Sequence, residues 1–312
     1  MESSSFVGLV LSVLAGILLW SGFAPLQFPL GPFLGLLILF KLIASRRFRE
    51  RFLYIAVTGF AFFAPLLHWS GTYVGWAPWI ALATLQTGLF SLLSVFRVER
   101  TGRGALVFAA AFTVIELVRM KLPFGGFGWG RIGHTQVDLL SPIYPFVGIA
   151  GVSFFLAFFA ALLLAARFRF LLIVPIFILG TIMPMPDKLN EIKVTAIQGG
   201  VDELGFDYNQ RALGVLKRHI TATLASDSEP ELWIWPENAS DIDPISNSQA
   251  KKLIAEVIAD KQSNLLVGAV LRSNEGPQNV SILYKEDGSI SSLYTKQDLA
   301  PFGEYMPLRS IA

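Results

Sequence analysis

LYTKQDLAPFGEYMPL, Leu293 to Leu308, is the most informative stretch of this sequence, and LWIWPENA, Leu232 to Ala239, is its upstream companion. Each stretch places ionisable residues just after an apolar run that is typical of a β-strand. These residues are Glu237, Lys296 and Glu304. Because a strand end holds a side chain rigidly, and burial there can shift its pKa, the three residues are candidates for a catalytic site.

The overall composition is typical of a membrane protein. Of the 312 residues, 53% are hydrophobic and only 15% are charged, and the mean hydropathy is +0.56. These values are too apolar for an ordinary soluble protein. Residues 1–186 hold 13 Lys and Arg against 5 Asp and Glu, whereas residues 187–312 hold 12 against 18. This asymmetry predicts two domains, a transmembrane domain over 1–186 and a polar domain over 187–312.

The residue types present argue against metal and disulfide chemistry. The chain has no cysteine and only three histidines, which are far apart in the sequence. Disulfides and thiolate metal ligands are therefore excluded for these residues, and a structural zinc site is not expected. We predict no metal and no cofactor.

The first domain is predicted to cross the membrane seven times. A span needs roughly 20 mainly apolar residues, and the apolar runs are separated by short polar or Pro/Gly breaks. The predicted spans are 6–23, 29–45, 52–69, 78–96, 104–121, 143–166 and 169–183.

Basic residues in alternate connections predict the orientation of these spans. Short cytoplasmic loops carry an excess of Lys and Arg. Such residues follow spans two, four and six: Lys41, Arg46, Arg47, Arg49, Arg51, Arg97, Arg100, Arg103, Arg167 and Arg169. The N-terminus is therefore predicted to be cytoplasmic, and the polar domain to lie on the opposite side of the membrane.

An external segment rich in glycine and aromatic residues departs from this charge rule, because it carries Arg119, Lys121 and Arg131. Glu116 and Arg119 have i,i+3 spacing, so an ion pair between them is expected to offset the cost, roughly 2.5–3.5 kcal/mol, of a charge at membrane depth. Pro123–Gly130 contains four glycines and a proline, which favours a re-entrant or interfacial loop over a regular helix. That loop could admit a lipid tail or serve as a plain interfacial anchor.

The polar domain alternates strand and helix patterns. IKVTAIQGG, ELWIWPEN and LLVGAVLR are predicted strands, the second ended by Pro236, and residues 209–225 and 249–261 are predicted helices. VSILYKEDGSISSLYTK is predicted to form a hairpin around Asp287-Gly288. Trp233 and Trp235 alternate along their strand, so both are expected in the same core layer.

In this order the segments resemble the start of a nitrilase-type, or carbon–nitrogen hydrolase, domain. Pro236-Glu237 resembles the position of that family's general base, and Tyr294-Thr295-Lys296 resembles that of its lysine. The resemblance implies part of an α-β-β-α sandwich with a Glu, Lys and Cys catalytic set.

Further features narrow the resemblance: the seven predicted spans, WPENA, Asn279-Val280-Ser281 and YTKQDLAPFGEYMP. Together they make the chain similar to the apolipoprotein N-acyltransferase family. The upstream ELVR, PFGGFGW and GHTQ segments share this similarity, whereas Gln198-Gly199-Gly200 departs from the QGN that is usual there. The resemblance implies a bacterial cytoplasmic membrane protein with its nitrilase-like domain on the periplasmic or extracellular side. It also implies a phospholipid acyl donor, a diacylglyceryl-apolipoprotein acceptor and no nucleic-acid partner.

The resemblance assigns each candidate residue a role in acyl transfer through a thioester. Glu237 would be the base, with apolar neighbours such as Trp235 raising its pKa. Lys296 would stabilise the tetrahedral oxyanion, and Glu304 would return across the Pro-Phe-Gly turn to orient Lys296. The cysteine nucleophile is absent from residues 1–312.

Three alternatives remain open at this point. We expect the chain to be part of a longer gene product that supplies the cysteine, because residues 1–312 cannot perform the family's reaction by the family's route. A degenerate paralogue without catalytic activity, or a transporter, is a second reading. A third is a membrane-anchored nitrilase-type amidase with the same Glu, Lys and Cys set, distinguished by its small-amide substrate.

Overall fold

The computed structural model describes residues 2–165, 190–200, 213–273 and 276–299. The chain divides into two compact units, one containing residues 2–165 and the other residues 190–299. Each unit is described by itself.

The regular elements described in the first unit are helices. Its helices are α1 Glu2–Ser21, α2 Leu30–Ile43, α3 Phe48–Leu66, α4 Gly71–Val74, α5 Trp76–Ser91, α6 Gly102–Arg119, α7 Val137–Leu140 and α8 Tyr144–Ala165. Short 3₁₀ turns at His68–Ser70, Leu92–Val95, Ile132–Gln136 and Ser141–Ile143 join some of them. Each of the first six predicted spans overlaps one of these helices, which confirms the helical N-terminal region.

The number of membrane crossings stays a prediction. Two stretches, Trp76–Val95 and Ile132–Ala165, are both long and apolar enough to cross a membrane. Ser5–Ser21 and Leu30–Ile43 are apolar but shorter. The seventh predicted span, 169–183, lies outside the described residues.

Close helix packing and apolar flanks characterise this unit. α1 packs on α2 and α3, and α6 packs on α8. A Cβ at Gly16 would lie 2.4 Å from the carbonyl oxygen of Thr58, so only glycine permits this approach between α1 and α3.

On its outer face, α1 exposes the apolar side chains of Phe6, Val7 and Val10. Consecutive exposed apolar side chains suit hydrocarbon surroundings better than water.

The Gly/aromatic segment that follows α6, residues 120–132, is tied to the end of that helix by the two charged residues singled out in the sequence. Glu116 and Arg119 are both buried, but each binds the segment rather than its expected partner. A Glu116 carboxylate oxygen accepts the Ile132 N–H at 2.7 Å, and Arg119 Nη2 donates to the Trp129 carbonyl at 2.7 Å. Arg119 Nε also donates to Gln86 Oε1 at 2.6 Å. Instead of the predicted ion pair with each other, Glu116 and Arg119 therefore each make a hydrogen bond to the backbone of the segment.

The second unit is built on one mixed, five-stranded sheet. Its elements are β1 Val194–Ala196, α9 Gly214–Leu224, β2 Leu232–Ser240, α10 Ser248–Lys261, β3 Asn264–Ser273, β4 Gly276–Tyr284 and β5 Ile290–Thr295. The strand order is β1-β2-β3-β4-β5. β1, β2 and β3 are parallel, whereas β4 is antiparallel to both of its neighbours. β5 therefore runs in the same direction as β1, β2 and β3.

One face of this sheet is covered by α9 and α10. Trp233 and Trp235 are both buried in that layer, as their alternation predicts. The Trp235 indole N–H donates to Thr223 Oγ1 at 2.9 Å, which joins β2 to α9 inside the core. On the opposite face, Leu266 and Leu283 are half-buried.

The role of Pro236 differs from the predicted strand terminator. Regular pairing between β2 and β3 stops at Trp235, opposite Val267, but resumes at Ser240, opposite Ala269. Proline cannot donate a ladder hydrogen bond, so the chain bulges here instead of ending the strand. The hairpin expected around Asp287-Gly288 is present between β4 and β5.

Candidate active site

Glu237 lies on the bulge of β2, beyond the last regularly paired residue of that strand. The next residue, Asn238, has a φ of +57°, a left-handed conformation that asparagine tolerates better than most residues. On β3, a Cβ at Gly268 would lie 2.1 Å from the Pro236 carbonyl oxygen and 2.8 Å from Glu237 Cα. Gly268 is therefore required for the bulge to pack against the neighbouring strand.

Lys296 directly follows β5. Its backbone N–H donates to the Asn279 carbonyl at 2.8 Å, which extends the β4–β5 ladder by one residue beyond the Val280–Thr295 pair. Because β2 and β5 run in the same direction, Lys296 and Glu237 both lie towards the carboxyl ends of their strands.

The side chains of Lys296 and Asn279 both contact one carboxylate oxygen of Glu237. Lys296 Nζ lies 3.0 Å from Glu237 Oε1, and Asn279 Nδ2 donates to the same oxygen at 3.3 Å. Glu237 and Lys296 are 59 residues apart in the sequence. Two sequence-predicted residues are thus brought into direct contact.

The ion pair between Glu237 and Lys296 contributes little to the stability of the fold, because both side chains are exposed to water. The side chains of Lys296 and Glu237 are 33% and 57% exposed. Ion pairs in such positions contribute about 0–1 kcal/mol, because water screens the attraction and two long side chains must be ordered. Its value lies in the orientation of the carboxylate and the ammonium.

Trp235 does not enclose Glu237 as expected from the sequence. Trp235 is buried against α9, whereas Glu237 is more than half exposed on the bulge. The bulge interrupts the strand alternation, and this interruption separates the environments of the two residues. The third predicted residue, Glu304, lies outside the described residues.

Asn279 is the site residue that the sequence did not single out for chemistry. Its tripeptide with Val280 and Ser281 was informative only as part of a resemblance. Alternation along β4 places Val280 in the layer covered by α9 and α10, so Asn279 projects to the other face. The available signal was a polar residue directly before the apolar run of β4, but its partner could not be inferred without the β4–β5 register.

The three side chains offer a proton acceptor, a cation and an amide donor. A carboxylate can remove a proton from a nucleophile, and an ammonium can stabilise a developing oxyanion. Asn279 and Lys296 together hold the carboxylate in one orientation. Within the described ranges, no group of three or more His, Asp or Glu side chains could hold a metal ion.

Comparison with known proteins shows similarity along most of the chain. A protein named apolipoprotein N-acyltransferase from Mycolicibacterium smegmatis is 30% identical over 94% of this chain and 58% of its own length. The protein of that name from Methylococcus capsulatus is 28% identical over 97% of this chain and 65% of its own length. One from Pseudomonas putida is 30% identical over 77% of this chain and 53% of its own length.

These relatives are longer than the chain, which spans less than two thirds of their lengths. The helical unit has a match of its own, because residues 15–162 fit the family model described as the Apolipoprotein N-acyltransferase N-terminal domain. Both units are therefore similar to proteins named apolipoprotein N-acyltransferase, the helical unit by the family model and most of the chain by its relatives.

Proposed function

We propose that this chain contributes the membrane domain, the general base and the oxyanion-stabilising lysine of a lipoprotein N-acyltransferase. The observation that carries the proposal is the contact of Glu237 with Lys296 at 3.0 Å, supported by Asn279. The acyl donor is a membrane phospholipid, and the acceptor is the N-terminal amine of an S-diacylglyceryl-cysteine. Residues 1–186 form the membrane domain, and residues 187–312 belong to the nitrilase-like domain outside it.

In the first half-reaction, Glu237 accepts the proton of a cysteine thiol and the thiolate attacks the phospholipid ester carbonyl. The Lys296 ammonium stabilises the tetrahedral oxyanion, and Glu304 orients that ammonium. Collapse breaks the ester bond, and the departing alkoxide takes the proton from Glu237 and leaves as lysophospholipid, which restores the carboxylate. An acyl thioester remains.

In the second half-reaction, the amine of the lipoprotein attacks the thioester carbonyl. Glu237 accepts the amine proton, Lys296 again stabilises the oxyanion, and the departing thiolate is reprotonated. Residues 1–312 contain no cysteine. The proposed reaction therefore concerns the protein made from the complete reading frame.

The test uses that protein in vesicles containing phospholipid with a labelled acyl chain, together with a diacylglyceryl-modified peptide. We expect a thioester-linked acyl enzyme that is cleaved by hydroxylamine, followed by labelled peptide. Lys296→Gln should lower the rate of acyl-enzyme formation roughly 100- to 1000-fold, as for the loss of an oxyanion donor. Glu237→Gln should also abolish most activity.

Exposed residues of the same unit provide matched controls. Lys252→Gln and Glu286→Gln remove the same charges away from the site and should leave the rate unchanged. A stop codon directly after codon 312 would contradict the proposal. So would hydrolysis of small amides without any acyl enzyme formed from phospholipid, since that result would identify an amidase.

A further inference from the structure

The helical unit contains a basic cavity that the acyl transfer does not use. It has a volume of about 560 Å³ and lies between the connection from α2 to α3 and the connection that leads into α6. Its charged lining consists of Arg46, Arg47, Arg51, Arg97, Arg100 and Glu99. A smaller recess of about 280 Å³ shares Arg97 and Glu99 and adds Arg103.

The walls of this cavity are built by buried hydrogen bonds. Arg51 is only 7% exposed, and its Nε and Nη2 donate to the Ser94 carbonyl at 3.1 and 2.9 Å. Its Nη1 donates to the Arg46 carbonyl at 2.7 Å. The Ser45 N–H also donates to the Val98 carbonyl at 2.8 Å. One guanidinium thus joins the two connections, and the recess is a fixed part of the fold.

The cavity has a strong excess of positive charge. Five arginines and one glutamate line it. The pairs of Arg97 with Glu99 and of Arg46 with Glu50 are surface pairs at 3.6 and 3.2 Å, which water screens. Arginine forks match the oxygen geometry of phosphate, and α3 and α6 both begin at the cavity, which adds to the positive potential.

Exposed apolar side chains adjoin these arginines. Phe48 follows Arg47 in the sequence, is 53% exposed and stacks with the exposed Phe52 at a ring distance of 6.3 Å. Phe96 precedes Arg97 and is 38% exposed. Phe48, Phe52 and Phe96 are each adjacent in sequence to an arginine that lines the cavity, so exposed apolar surface lies close to the charged lining. That combination is the chemistry of a phospholipid rather than of a soluble anion.

We propose that this cavity binds the phosphate of an anionic phospholipid headgroup, with the acyl chains lying along the apolar flank that includes Phe48 and Phe52. The site is separate from Glu237 and Lys296 in the sequence and in its chemistry, and it does not depend on the proposed acyl transfer. It would hold a lipid on the side of the membrane that carries these connections.

Binding can be measured by native mass spectrometry and by thermal shift of the purified protein in a neutral detergent. The probes are phosphatidylglycerol, zwitterionic phosphatidylethanolamine and inorganic phosphate. We expect saturable binding of phosphatidylglycerol that is about tenfold or more tighter than that of phosphatidylethanolamine. The double variant Arg97→Gln/Arg100→Gln should weaken it by about tenfold or more, and Arg47→Gln should weaken it in the same direction.

Arg49→Gln is the matched control, because Arg49 is exposed in the first turn of α3, close in sequence to the lining arginines, but does not line the cavity. It should change the affinity by less than about threefold. Arg51 is left intact because of its hydrogen bonds, and unchanged elution from a sizing column verifies the fold of each variant. The proposal would be overturned if Arg49→Gln weakened lipid binding as much as Arg47→Gln does. Equal binding of phosphatidylglycerol and phosphatidylethanolamine would also overturn it. Binding of inorganic phosphate with the same arginine dependence, but no lipid preference, would instead assign the cavity to a soluble phosphate compound.

Discussion

Asn279 donates one of the two side-chain hydrogen bonds that hold Glu237 Oε1, and its carbonyl accepts the Lys296 backbone N–H. It thus positions both groups of the proposed site without acting as acid or base. An amide in this role fixes the direction of a carboxylate that is otherwise more than half exposed. Orientation of this kind affects the rate of reaction more than the binding of substrate.

We expect Asn279→Ala to lower kcat for acyl transfer roughly 10- to 100-fold with little change in KM, because a misplaced base costs rate rather than affinity. Steady-state kinetics of the complete protein in vesicles would measure both constants. Ser281→Ala, on the same face of β4, is the control and should leave kcat unchanged. An unaltered kcat for Asn279→Ala would show that Asn279 does not position the catalytic groups.

Asp243 provides a pH-dependent contribution to the stability of the α/β unit. Burial acts to raise its pKa, but hydrogen bonds from the backbone N–H groups of Ser246, Arg272 and Ile245 outweigh burial and bring the pKa below 3.8. A carboxyl whose pKa is lower in the folded state stabilises the fold above the unfolded pKa. This stabilisation is lost as the pH falls below 3.8 through the folded value.

Asp243→Ala should therefore lower the unfolding free energy by about 1–3 kcal/mol at neutral pH, because backbone donors lose a charged acceptor. The difference from the unmodified protein should shrink below pH 3.8. Denaturant unfolding followed by fluorescence of Trp233 and Trp235 would measure it. The exposed Asp260→Ala is the control, and a difference that stayed constant down to pH 3 would contradict the assigned role.

At the scale of elements, the end of α6 and the Gly/aromatic segment behave as one structural piece. The Arg119 carbonyl accepts the Phe127 N–H at 2.7 Å, and the Arg119 side chain binds the Trp129 carbonyl at 2.7 Å. Gly126 has a φ of +83°, and a Cβ there would lie 2.1 Å from the Met120 backbone. The segment therefore presents Trp129, which is 53% exposed, in a defined place.

Arg119→Gln should release this segment, because the shorter side chain cannot reach both Gln86 and Trp129. Each acceptor left unpaired costs about 1–3 kcal/mol. We expect faster hydrogen exchange over residues 125–131 and stronger quenching of Trp129 fluorescence by a soluble quencher. Lys121→Gln, an exposed neighbour, should cause neither change. Unchanged exchange in Arg119→Gln would show that other contacts hold the segment.

Element types were largely predictable, but the details of β2 were not. Apolar periodicity places α1, α2 and α10 within a few residues of their observed bounds, because each pattern reports the period of its own backbone. Pro236 was expected to end β2, yet the strand resumes at Ser240. The bulge is permitted by Gly268 on a neighbouring strand, and pattern analysis of β2 alone contains no information on that neighbour.

At the scale of the whole molecule, the arrangement of the helical unit in the membrane is the main open prediction. The arginine-rich connection at 46–51 is expected on the cytoplasmic side, and the connection at 70–77 on the opposite side. Five of the ten basic residues that predict this orientation, Arg46, Arg47, Arg51, Arg97 and Arg100, also line the basic cavity. Orientation and proposed lipid binding therefore concern one surface.

Single cysteines can test this arrangement, because residues 1–312 contain no cysteine of their own. Thr72→Cys and Arg49→Cys both replace exposed residues. In intact cells, a membrane-impermeant maleimide should label Thr72→Cys, whereas Arg49→Cys should react only after permeabilisation. Labelling of both in intact cells would refute the predicted orientation.

The sequence by itself determined the helical first unit, the mixed α/β second unit, the resemblance to one protein family and two residues of the candidate site. These follow from local periodicity and from short motifs, and both are readable along the chain. Only the tertiary structure decided that Lys296 and Asn279 meet at Glu237 Oε1, and that arginines from two connections share one cavity. Such meetings depend on strand register, on a bulge and on the packing of distant helices. These properties arise from contacts between segments, and no single segment encodes them.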